Sequence, residues 1–134
     1  LKQVPHPTHT DGPFKGQNHT PSTGQASGFH GGEISPDGKN YWVMAGSFLY
    51  RYELPSFKPL GDVHLARIDQ MGMSFTPAVE GTWMTITPDG QKVYAARPGR
   101  NLMSVVDVKT MKEEALIPTG EYPLHISIWP RGTP

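Results

Sequence analysis

The sequence predicts an all-β chain made of β-propeller blades of four antiparallel strands, and three observations lead there. The segment Ile34-Ser35-Pro36-Asp37-Gly38-Lys39-Asn40-Tyr41-Trp42-Val43 returns as Ile86-Thr87-Pro88-Asp89-Gly90-Gln91-Lys92-Val93-Tyr94-Ala95, with a third start at Ile128-Trp129-Pro130-Arg131-Gly132. An apolar strand that enters a Pro-Asp-Gly turn and leaves as an aromatic, β-branched strand is a hairpin signal, and its recurrence at blade length points to a propeller. The 15 Gly and 14 Pro residues fall between short β-rich runs, as the turns of an all-β chain do, so long helices are not expected. Finally, Phe48-Leu49-Tyr50-Arg51-Tyr52-Glu53-Leu54 alternates with the two-residue period of a strand.

In chain order, residues 1–28 are an extended arm, because Pro5, Pro7, Pro13 and Pro21 alternate with polar residues and leave little to bury. Such a segment becomes ordered by lying across a partner. Residues 29–81 are the first blade with an insertion loop; strands are expected at 30–35, 40–45, 48–54 and 59–64, and the loop at 65–81. Residues 82–123 are the second blade, with strands at 82–87, 92–96, 102–108 and 113–118 and a turn at Pro98-Gly99. Residues 124–134 begin a third blade with a strand at 124–129. A closed propeller needs about four or more blades of roughly 40 to 50 residues, so the chain is an incomplete propeller whose remaining blades come from a longer polypeptide, other copies or another subunit.

Within the second unit, Thr87-Pro88-Asp89-Gly90-Gln91-Lys92-Val93-Tyr94-Ala95-Ala96 and Asn101-Leu102-Met103-Ser104-Val105-Val106-Asp107-Val108-Lys109-Thr110 resemble the YVTN family of β-propeller repeats. The likeness continues through Ile117-Pro118-Thr119-Gly120 and Tyr122-Pro123-Leu124-His125-Ile126, covering most of 82–130, and 29–64 is a weaker copy. The first copy departs from the second where Glu53 stands for Asp107 and Pro55-Ser56 for Lys109-Thr110. The resemblance implies a periplasmic, cell-surface or secreted setting.

Composition excludes several classes. Twelve basic residues balance twelve acidic ones with no basic stripe, so no nucleic-acid partner is expected. The absence of cysteine rules out disulfides, thiolate metal sites and haem attachment through C-x-x-C-H. No run approaches the length of a membrane span, and Leu1-Lys2-Gln3-Val4-Pro5 is not a secretory signal, as in a processed or truncated product.

Histidine is the one side chain here suited to metal binding or acid–base work at neutral pH, and His6, His9, His19 and His30 form the candidate metal set. His6 and His9 are close enough in sequence to reach one ion, copper or another divalent metal, with Asp11 as a further ligand. Their spacing matches no zinc-finger or H-E-x-x-H pattern, and a solvated polar arm, or one bonded to a partner's backbone, is the simpler account of them. His30 and His125 approach equivalent inner strands but differ by one position, so alternation sends their side chains apart. Asp37-Gly38 and Asp89-Gly90 are explained by turn formation without a ligand. No catalytic motif is present, and no cofactor is required by the sequence.

The candidate interface residues are Met71, Met73 and Phe75 on the insertion loop and Trp129 at the unfinished unit. Two functions follow. The first is a non-catalytic scaffold or interaction subunit that completes its fold by assembly with other blades or chains, as a homo- or hetero-oligomer. The alternative is part of an extracytoplasmic, copper-type oxidoreductase with histidines near the propeller channel.

Overall fold

The computed structural model describes residues 8, 10, 15–16, 30–45, 48–65 and 83–129 of the chain. His6, His9, His19, Met71, Met73 and Phe75 lie outside the described residues, as does most of the arm and of the insertion loop.

Eight strands form two sheets. The first contains β1 (His30–Ile34), β2 (Asn40–Ala45), β3 (Phe48–Glu53) and β4 (Pro59–His64). The second contains β5 (Trp83–Ile86), β6 (Lys92–Arg97), β7 (Leu102–Asp107) and β8 (Lys112–Pro118). Each sheet is a meander of sequential antiparallel strands, and every strand ends within one residue of its expected position.

The repeated turn explains why both first hairpins form where they do. In the first, Asp37 Oδ1 accepts the Ser35 hydroxyl at 2.6 Å and the Lys39 N–H at 3.0 Å, while Ser35 Oγ accepts the Asn40 N–H at 2.9 Å. In the second, Asp89 Oδ1 accepts the Thr87 hydroxyl at 2.5 Å and the Gln91 N–H at 3.0 Å, while Thr87 Oγ1 accepts the Lys92 N–H at 3.0 Å. Gly38 and Gly90 take φ of 72° and 71°, the left-handed region that a side chain disfavours. Each turn is a closed local network, so it needs no help from the rest of the fold.

The outer hairpins also match despite their altered sequences. The N–H of Phe57 reaches the Glu53 carbonyl at 2.8 Å, and that of Met111 reaches the Asp107 carbonyl at 2.9 Å, with both residues at φ 55°. Ser56 donates its hydroxyl to Glu53, whereas Asp107 Oδ1 takes both the N–H and the hydroxyl of Thr110 at 2.8 and 2.9 Å. The departures change side-chain bonding and leave the backbone path intact. A one-turn 3-10 helix at Pro98–Arg100 lengthens the β6–β7 link.

The core lies between the sheets. Trp42, Met44, Leu49 and Val63 of the first sheet, with Leu65, pack against Met84, Ile86, Val93, Ala95 and Val106 of the second.

The expected strand at 124–129 does not form. Residues 123–129 have no ladder partner among the described residues. A strand is defined by its hydrogen-bonded neighbour, and by the repeat that neighbour follows the Pro130-Arg131-Gly132 turn, where nothing is described.

Candidate functional site

The junction between the sheets shows what a blade face needs. Directly opposed residues of an antiparallel sheet share a face, so Glu33, Trp42, Arg51 and Gly61 form one row and Met44, Leu49 and Val63 the next. Glu33 Oε2 accepts the Ile86 N–H of the neighbouring sheet at 3.2 Å. Arg51 donates from Nε to Asn40 Oδ1 at 2.9 Å, approaches the Val108 carbonyl across the junction at 3.5 Å, and sets Cζ 5.3 Å from the Trp42 ring centre. This last contact is a cation–π interaction that also covers the indole.

The second sheet presents the same face on its far side. Its rows are Trp83, Ala96, Met103, Ile117 and Thr85, Tyr94, Val105, Ala115. By register, Tyr94 occupies the place of Trp42, Met103 that of Leu49 and Ile117 that of Val63. The first-sheet residues are sealed: Trp42 is 1% exposed and Val63 4%. Their counterparts are less covered: Ile117 is 37% exposed, Tyr94 and Met103 are half-buried and Trp83 is 39% exposed at the inner edge, while Thr85, Ala96 and Val105 of the same rows are buried. Segment 123–129 passes this edge, where the His125 ring lies 4.6 Å from that of Trp83. Ile126 and Ile128 are half-buried, and Trp129 is 89% exposed.

The remaining face of the first sheet is aromatic. Phe48 stacks on His64 with ring centres 4.6 Å apart and on Tyr50 at 6.0 Å, and Tyr52 and Val43 complete the buried group. Burial, followed by the charges of Asp62 and Tyr52, holds the Tyr50 phenol above its ordinary range. Burial and then Tyr41 push Tyr52 up to about 12. Both phenols are protonated at neutral pH. Thr10 donates its N–H and hydroxyl to Asp62 Oδ1 at 2.6 and 2.5 Å, which ties this residue to β4.

Of the metal candidates, His30 alone is among the described residues; it opens β1 opposite Met44, and no group of three or more His, Asp or Glu residues able to hold an ion occurs among the described residues. Glu113 and Glu114, adjacent on β8, have different basic neighbours. Glu114 bonds Lys92 Nζ at 2.7 Å, while Glu113 lies 3.9 Å from buried Arg97. No helix among the described residues is long and apolar enough to cross a membrane.

Three carboxyls stand below their ordinary value of 3.8: Asp37 through the Ser35 hydroxyl, Asp89 through the Thr87 hydroxyl, and Asp107 through Lys92 and then Thr110. A carboxyl with a depressed native pKa stabilises the fold above its unfolded value and loses that contribution as pH falls through the native one. Thermal unfolding is therefore expected at a constant midpoint down to about pH 3.8 and at falling midpoints below it, with Asp107→Asn flattening the fall. A midpoint that rises on acidification contradicts this.

Among solved structures, hydrazine synthase of Kuenenia stuttgartiensis matches 81% of the chain at 21% identity and TM-score 0.59. The dihydro-heme d1 dehydrogenase NirN matches 81% at 17% identity and TM-score 0.55, and apo AztD of Citrobacter koseri 72% at 14% and 0.57. The shared fold is the β-propeller. The two sheets are therefore blades, with β1 and β5 as equivalent first strands. The chain spans 29%, 20% and 25% of the length of these three structures. No family model and no curated protein matches the chain.

Sequence reading missed Glu33 and Arg51, the polar residues of the junction. One signal was available: Arg51 is a charged residue in an aromatic strand, where the second copy has Val105.

Proposed function

We propose that the chain is a non-catalytic pair of propeller blades, a scaffold or interaction unit that completes its fold by assembly with further blades carried on the same polypeptide or on another. The observation that carries this reading is the contrast between two equivalent faces, one sealed by a neighbouring blade and the other exposed along its edge strands at Trp83 and Ile117 and only half-covered at Tyr94 and Met103. Beside the open face, residues 125–129 make no backbone hydrogen bond among the described residues. A segment without a ladder partner beside an apolar face is suited to strand addition and blade packing together. The YVTN resemblance supports an extracytoplasmic setting for such an assembly. The oxidoreductase alternative rests on histidines near the propeller channel, of which His30 opens β1 while His6, His9 and His19 lie outside the described residues.

Light scattering combined with hydrogen exchange tests the proposal. The chain is expected to form an oligomer or to bind added blades, with amides 125–129 exchanging fast in the free chain and slowly in the assembly. A compact monomer that binds no blades and protects those amides overturns it.

A further inference from the structure

Where the two Pro-Asp-Gly turns meet, the blades leave a groove that the assembly reading does not use. It encloses about 360 Å³ between Asp37, Asn40, Arg51 and Asp89 and continues past Val108. The turns abut: a Cβ on Gly90 would lie 3.7 Å from Pro36 Cδ.

The groove carries donors on its floor and acceptors at its rim. Asn40 is 8% exposed, and its Oδ1 is fixed as an acceptor by Arg51 Nε at 2.9 Å. Arg can only donate, so the Asn40 amide nitrogen points the other way, and it makes no hydrogen bond among the described residues. That nitrogen is open to solvent in the groove, where a ligand acceptor would take the place of water. Beside it, Arg51 commits Nε and Nη1 and keeps Nη2 for a ligand. At the rim, Asp37 and Asp89 use Oδ1 within their own turns and present Oδ2 outward.

This chemistry is not a general property of blades. The second blade has Lys92 in the place of Asn40 and Val105 in that of Arg51, and Lys92 is bound within its own sheet to Asp107 and Glu114. A simple anion is opposed by the two rim carboxylates, and a simple cation by Arg51. A molecule carrying both charges satisfies each end, and the volume suits one of few residues.

We propose that the groove binds a small zwitterion, an amino acid or dipeptide, with its carboxylate on Arg51 and Asn40 and its ammonium against Asp37 and Asp89.

Titration of the full ¹⁵N-labelled chain with L-alanyl-L-alanine, read at the Asn40 side-chain amide and at the Gly38 and Gly90 amides, tests this. The dipeptide is expected to shift all three signals saturably, whereas acetate or methylammonium alone binds more weakly. Asn40→Asp, which opposes a carboxylate, and Asp37→Asn, which keeps the turn acceptor but removes the charge, are each expected to weaken binding about tenfold. Asp37 is exposed, so that variant reports on binding without unfolding the chain. No saturable shift, an affinity unchanged by either substitution, or acetate binding as tightly as the dipeptide overturns the proposal.

Discussion

Replacing Trp42 with alanine is expected to lower the stability of the chain by about 3–5 kcal/mol, the range for truncating a large buried aromatic side chain. Trp42 is the largest fully buried side chain and belongs to the cluster shared by both blades. Its removal therefore leaves a cavity at the junction rather than within one sheet. Two groups lose by it: the opposed apolar residues of the second blade, and the Arg51 guanidinium that lies over the ring. Both blades should unfold together with an earlier midpoint in urea. Trp129→Ala, which removes a side chain 89% exposed, is the control and is expected to change stability by no more than about 0.5 kcal/mol. A loss below about 1 kcal/mol for Trp42→Ala, or separate transitions for the two sheets in the unaltered chain, is incompatible with a shared core.

How much of this architecture was legible beforehand depends on how local the determining interactions are. The Ser35 and Thr87 turns close their hydrogen bonds within six residues, so the sequence Ser/Thr-Pro-Asp-Gly specifies them wherever it occurs. Strand positions follow from those turns and from two-residue alternation. The polar residues of the junction are different. Glu33 bonds a backbone amide 53 positions away, Arg51 a carbonyl 57 away, and Thr10 a carboxylate 52 away. Nothing near Glu33 or Thr10 in sequence indicates those partners. The failure at 124–129 has the same origin: its residues have strand character, but pairing depends on residues beyond the third turn. The candidate metal arm and the insertion-loop interface fall on residues that are not described, so the fold neither supports nor opposes them.

The strongest test of an open blade face is the same substitution placed at equivalent positions of the two blades. Val63 and Ile117 both stand on the fourth strand, opposite Leu49 and Met103. They differ in what covers them, with Val63 4% exposed beneath the second blade and Ile117 37% exposed. An unpaired carboxylate forced into an apolar junction costs several kcal/mol even after relaxation, so Val63→Asp is expected to unfold the chain. In the free chain Ile117→Asp keeps its carboxylate hydrated, and the loss should stay within about 1 kcal/mol. Its effect should appear on assembly, because a blade packed there would have to desolvate that charge. Ile117→Asp is therefore expected to retain the far-ultraviolet strand signal while losing oligomer formation or binding of added blades. Were Ile117→Asp to unfold the free chain as Val63→Asp does, that face would already be covered within this chain. Were it to assemble normally, blades would be added elsewhere. Either result moves the interaction surface away from Trp83, Met103 and Ile117, and only the combination of a folded chain with failed assembly keeps it there.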